Sequence, residues 1–264
     1  MDLKIEKPSF KISVDSSHSN PLVVASHERS GTHFLINSIH ENSKYTNSPI
    51  LNFDLCPIGD IVNFYSSESI EKFFDKIERL RVNQNKVYLK SIIKTHHSAS
   101  FFGNIFHKNN INFLYIYRNP SDTLISFYKF LHKWPWHEGL KTDSVYTFLK
   151  SSPEGQLTRY QYKYVENHFV RWAEHVSSWQ SAAIKHENIM CVSYENLSQN
   201  YYSTIAKVFE FFKISSPKGF LEPEKTKFIR GKEMKIKYSD LKKAEEFIRI
   251  SLSSYPNLSK LYGH

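Results

Sequence analysis

Three short stretches of this sequence put a cation where an extended segment gives way to a loop or helix. The first is His27-Glu28-Arg29-Ser30-Gly31-Thr32-His33-Phe34, in which an apolar run ends in a polar loop and a helical pattern opens at once. A strand–loop–helix of this kind gathers backbone N–H groups, a positive helix end and the Arg29 guanidinium around one point. That is a phosphate-binding arrangement. The loop is not a Walker A sequence, because Ser26 stands where that motif needs Gly and Thr32 where it needs Lys. Such a cradle points to a phosphorylated donor other than a nucleoside triphosphate.

The second stretch is Lys94-Thr95-His96-His97. Side chains alternate along an extended chain, so Lys94 and His96 share one side and His97 takes the other. An imidazole beside a cation makes a general base, His96, with an anion-stabilising neighbour, Lys94. The third is Arg118-Asn119-Pro120, with Ser126 further along. Asn119 suits a helix N-cap and Pro120 a first helical position. Arg118 then leaves a strand tip beside a second helix N-terminus, where a second phosphate could bind. Taken singly, a Lys-x-His is more readily a solvated lysine and a surface histidine, and a lone Arg is as readily an ordinary strand–helix junction. Three basic tips in one sheet are harder to dismiss.

The elements that must position these tips alternate. Strands are expected at 22–26, 86–93, 111–118 and 189–194, each short and rich in β-branched or aromatic residues. Helical patterns are expected at 31–42, 67–82, 120–134, 165–185, 195–212 and 239–251. The alternation predicts an α/β fold, a single P-loop-like domain whose central parallel β-sheet is flanked by helices. In such sheets ligands sit beyond the carboxyl ends of the strands. Residues 1–20 read as an N-terminal arm and 21–264 as the domain.

Bulk properties narrow the function classes. The 264 residues are 40% hydrophobic and 15% aromatic, enough for a substantial core, and the formal charge of +9 suits a polyanionic ligand. Lys and Arg are spread along the chain, with the densest cluster at 225–243, which argues against nucleic acid as the partner. Cys56 and Cys191 lie far apart, and the 13 histidines form no HExxH or Cys/His pair spacing, so no metal is expected. The first twenty residues lack the apolar stretch of a secretory signal, and no apolar run reaches membrane-spanning length. The expectation is a soluble cytoplasmic protein that does not bind membranes.

The motifs together resemble the sulfotransferases that use 3′-phosphoadenosine 5′-phosphosulfate (PAPS). Glu28-Arg29-Ser30-Gly31-Thr32 is similar to the family's 5′-phosphosulfate loop, and Tyr117-Arg118-Asn119-Pro120-Ser121-Asp122 with Ser126 to its 3′-phosphate motif. Lys94-Thr95-His96 lies between them, in the order of the family's catalytic Lys-Thr-His. Tyr194-Glu195-Asn196 resembles the Tyr-Glu-Asp segment after the fourth strand, and Phe228-Ile229-Arg230-Gly231-Lys232 a late element that also holds the 3′-phosphate. The resemblance covers roughly residues 20–240. It implies PAPS as donor and 3′,5′-adenosine bisphosphate (PAP) as product, without a metal. It assigns catalysis to His96, Lys94 and Arg29, and donor binding to Arg29, Ser30, Gly31, Thr32, His33, Phe34, Arg118, Ser126, Trp172, Arg230, Gly231 and Lys232. Phe34 stands where the family has the Trp that stacks on adenine, and Trp172 aligns with a further adenine contact.

Several positions depart from the family. Arg29 replaces the usual Lys, Gly231 and Lys232 are transposed, and the Gly-Asp-Trp tail linked to the donor cap and an oligomer contact is absent. The acceptor is expected to be a small soluble molecule sulfated on a hydroxyl, amine or guanidine, as in tailoring of a bacterial natural product. Its candidate pocket residues are Phe101, Phe102, Trp134, Trp136 and His137, although such aromatics are as often core. A homodimer is the candidate assembly. One rival is a P-loop nucleotide or small-molecule kinase, which should carry Gly-Lys-Ser/Thr and a Mg²⁺-binding Asp. The other is a basic nucleic-acid-binding protein.

Overall fold

The computed structural model describes residues 20–52, 68, 70–75, 91–108, 110–133, 139–161, 163–224 and 234–262. Residues 1–19 of the expected arm, Cys56, the acceptor candidates Trp134, Trp136 and His137, and the donor candidates Arg230, Gly231 and Lys232 lie outside them.

Five strands form one parallel sheet: β1 (Leu22–Ser26), β2 (Thr46–Asn52), β3 (Ser91–Thr95), β4 (Asn112–Tyr117) and β5 (Ile189–Ser193), in the order β2-β3-β1-β4-β5. The first strand is central, with β2 and β3 to one side and β4 and β5 to the other. Chain order therefore reverses at β1, the switch point where open α/β sheets bind ligands. Register aligns the strand ends: Ala25 faces Thr95 and Tyr115, Ser26 faces Ile116, and Tyr117 faces Ser193. All three basic tips thus emerge along one edge.

Alternation along the strands builds two cores. Val23, Ala25, Ile93, Phe113 and Tyr115 face an aromatic cluster with Phe102, Phe106 and Trp179. Leu22, Val24, Ile92, Leu114 and Ile116 face the helices α1 (Thr32–Asn42) and, after α2 to α5 below, α6 (Tyr201–Phe211). A third cluster joins α2 (Pro120–Lys133), α3 (Val145–Lys150), α4 (His168–Lys185), α7 (Tyr238–Leu252) and α8 (Pro256–Leu261). Between them, α5 (Tyr194–Gln199) follows β5 directly. No helix of the described residues is long and apolar enough to cross a membrane.

Most of the expected elements exist, with shifted bounds; of the expected helix 67–82 only residues 68 and 70–75 are described, and 86–90 of the expected strand 86–93 lie outside the described residues. The second expected strand, 86–93, is observed as Ser91–Thr95, so Lys94 lies inside the strand and His96 just past its tip. The expected helix 195–212 is two helices, broken at Asn200, whose φ of −125° and ψ of 50° leave the helical region. Strand β2 and the short helices α3 and α8 were not expected. The β2 sequence TNSPILN is polar and carries Pro49, which an edge strand tolerates better than a central one.

Candidate active site

The site is built on the loop after β1. Arg29 adopts φ 68°, a left-handed conformation that costs a non-glycine residue roughly 1–2 kcal/mol. That twist sends its side chain toward α2, where Nε donates to Ser126 Oγ at 3.2 Å and the guanidinium lies 5.1 Å from the Phe130 ring centroid. Burial, with the like charge of Arg118 added, pulls the Arg29 guanidinium below its ordinary value. Gly31 closes the turn at φ 97°, and a Cβ there would lie 2.3 Å from Tyr194 Cδ2. Only glycine fits. At the first residue of α1, Thr32 Oγ1 shares a 2.5 Å hydrogen bond with Ser26 Oγ.

The β3 tip lies beside this loop. Lys94 is buried and His96 half-buried. His96 Nδ1 donates to the Ser26 carbonyl at 2.8 Å. A carbonyl oxygen only accepts, so the proton of the neutral ring sits on Nδ1 and the lone pair on Nε2, as a general base requires. Tyr160 meets the His96 ring edge-on at 5.9 Å. Burial, aided by the charges of Lys94, His96 and Arg29, pushes the His33 imidazole down to about 3. His97 faces the other way, as expected: it is fully buried and stacked on Phe101 at 3.9 Å.

The β4 tip is held differently. Asn119 Oδ1 accepts from Asp122 N at 2.8 Å, the N-cap expected of it, and the Asn119 N–H donates to Glu195 Oε1 at 2.9 Å. Arg118 Nη2 donates to Asp122 Oδ2 at 2.9 Å, and its guanidinium lies 4.6 Å from the Tyr194 ring centroid. Arg118 Nε and Ser30 Oγ are buried and have no hydrogen-bond partner among the described residues. Each cradle corner thus holds a donor that an anionic ligand's oxygens could satisfy.

Beneath the loop runs a polar network absent from the sequence expectations. The Glu28 carboxylate is forked by Arg171, with Nη2 to Oε1 at 2.7 Å and Nη1 to Oε2 at 2.9 Å. Burial pushes that carboxyl up, but the Arg171 charge and hydrogen bonds outweigh it and hold it well below the usual range. Arg171 Nη1 also donates to His27 Nε2 at 2.8 Å, and His27 Nδ1 donates to the Glu28 carbonyl at 3.0 Å. Burial keeps His27 neutral, so its 3.6 Å approach to Glu28 Oε2 is not an ion pair. One helical turn on, His175 Nε2 donates to the His96 carbonyl at 3.0 Å and Nδ1 accepts from Tyr115 Oη at 2.9 Å. Another turn on, Trp179 Nε1 donates to the His97 carbonyl at 3.1 Å. Arg171, His175 and Trp179 at i, i+4 and i+8 were the available signal, because that spacing lines one helix face.

Four expected site residues are buried. Phe101 and Phe102, offered as acceptor contacts, are 1% and 0% exposed and belong to the aromatic core with Phe113 and Trp179. The apolar strand face had to be covered, and these rings cover it. Trp172 is fully buried against Phe169 and Tyr262. Phe34 is 5% exposed and packs beside Tyr194 and Tyr201. The aromatic ring set between Gly31 and Arg118 is Tyr194, which the expected site omitted.

The model of the sulfotransferase domain matches residues 19–254. Sulfotransferase 1 family member D1 of Mus musculus is 28% identical over 137 residues, 49% of this chain and 40% of that protein. The 3-alpha-hydroxysteroid sulfotransferase of Cavia porcellus is 27% identical over 155 residues, 59% of this chain and 46% of its own length. The chain thus spans about half the length of these relatives or less. The crystal structure of mouse sulfotransferase SULT7A1 complexed with PAP aligns with a TM-score of 0.49 at 22% identity, covering 78% of this chain and 62% of that one. By the match over residues 19–254, the chain belongs to the sulfotransferase family.

Proposed function

We propose that this protein transfers a sulfuryl group from PAPS to a hydroxyl or amine of a small acceptor. The observation that carries the reading is the convergence of three basic tips on one sheet edge: Arg29 bonded to Ser126, Lys94 beside His96, and Arg118 against Tyr194. Arg29, Ser30 and the α1 N-terminus would hold the donor's 5′-phosphosulfate. Arg118 and Ser126 would hold the 3′-phosphate, the group that separates this donor from ATP. Tyr194 offers its ring to the adenine.

His96 Nε2 accepts the acceptor's proton as the new sulfur–oxygen or sulfur–nitrogen bond forms and the bond to the donor phosphate breaks. Arg29 and Lys94 meet the charge on the sulfuryl oxygens and the leaving phosphate. Little covalent work falls to the protein, so positioning and fixed charge supply most of the rate.

The test is an acceptor screen with PAPS, read as the mass gain of one SO₃, together with a melting-temperature assay. PAP should raise the melting temperature without Mg²⁺, because a ligand that binds only the native state stabilises it by mass action. His96→Ala should lose roughly 10²–10⁴-fold in turnover, the usual range for a general base, with PAP affinity unchanged. Stabilisation by Mg²⁺-ATP alone would overturn the reading.

A further inference from the structure

We propose that the buried Glu28–Arg171 pair is the positioning element that couples the Arg29 loop to the His96 tip; the proposal rests on the sulfotransferase reading above. Three consecutive loop residues diverge. His27 and Glu28 turn inward to Arg171, while Arg29 turns outward to Ser126. A non-glycine residue at φ 68° persists only where its surroundings over-determine it, and the fork on Glu28 is the strongest local constraint on that backbone.

The constraint reaches the second tip through α4. Arg171 grips the β1 loop and His175, one turn on, grips the His96 carbonyl. Both sit on one rigid helix, so the two tips keep a common reference. His96 is tied back to β1 through its Nδ1 bond to the Ser26 carbonyl, which closes the circuit. The pair is buried beneath the loop, with side chains 4% and 10% exposed, so its role is to place Arg29 and His96 relative to each other. In-line transfer is sensitive to such placement: a displacement of about 1 Å can cost roughly 10²-fold in rate. Stability alone does not account for the pair, since apolar residues of similar volume commonly replace a buried ion pair without loss.

The experiment compares the parent with Glu28→Leu/Arg171→Met, which keeps volume and removes both charges. The double variant should melt close to the parent and bind PAP within about threefold, because the Arg118 corner is intact, yet lose at least tenfold in kcat. Long-range ¹⁵N NMR of the His96 ring, taken without donor, should show a changed tautomer balance or pKa. If the double variant does not fold, Glu28→Gln, which keeps the shape and removes one charge, carries the same two readouts. An unchanged His96 spectrum with kcat within twofold overturns the proposal. A parent that neither binds PAP nor transfers SO₃ sinks the sulfotransferase reading instead, while the His96 spectrum still decides the coupling.

Discussion

The two cradle corners are built by opposite means. At the Arg29 corner the supporting charges lie inside: Glu28 and Arg171 have side chains only 10% and 4% exposed, and three neutral histidines, His27, His168 and His175, surround them. At the Arg118 corner the support is a surface cap, with Asp122 55% exposed and the Asn119–Asp122–Glu195 bonds close to water. A buried network sets position at the cost of sensitivity to any unpaired charge. A wet cap keeps a cation available to a ligand and tolerates change. One corner is built for geometry and the other for binding.

The largest effect is expected at Arg171. Arg171→Ala strands the Glu28 carboxylate in the core and should cost about 3–5 kcal/mol of unfolding free energy, read by urea denaturation. Asp122→Ala at the other corner should cost only about 0.2–1 kcal/mol, as exposed ion pairs do. Equal losses would erase the distinction.

Binding should show the reverse order. Arg118→Ala removes a charge-assisted contact and should weaken PAP by about 1.5–3 kcal/mol, while 5′-AMP, which lacks the 3′-phosphate, is little affected. Isothermal titration with both ligands measures this, and equal weakening would place the 3′-phosphate elsewhere.

The smallest effect sharpens the comparison through pH. Burial and the Arg171 charge push His168 and His175 down to about 3, and burial likewise lowers His27. The unfolded chain binds those protons near pH 6.5 and the native state does not. Stability is therefore fully present above pH 6.5 and is lost as pH falls toward 3, by about 1.4 kcal/mol per pH unit for each of His168 and His175, and His27 acts in the same direction. His168, stacked on Phe148 at 4.0 Å with neither ring nitrogen hydrogen-bonded among the described residues, is the one to replace. His168→Phe should be nearly neutral at pH 8 and flatten the urea midpoint's acid slope by one histidine's share. An unchanged slope would show that His168 does not titrate on unfolding.

Local order along the chain determined much of this molecule. The run Leu22–Ser26 followed by Gly31 and a helical pattern specifies strand, turn and cradle, because the interactions involved span only a few residues. Asn119 before Pro120 specifies a cap for the same reason. Alternation of strands and helices specifies a parallel sheet through the handedness of its crossovers.

What lay beyond reach was long-range. Whether an aromatic lines a pocket or fills a core depends on what packs over it, so Phe101, Phe102 and Trp172 read as contacts and are buried instead. Strand β2 is polar, and only its pairing along β3 makes it a strand. Glu28 and Arg171 stand 143 residues apart, and nothing in either neighbourhood names the other. Bringing α4 under the β1 and β3 tips is the work of tertiary packing. There burial turns a glutamate, an arginine and two histidines from surface residues into the frame of the site.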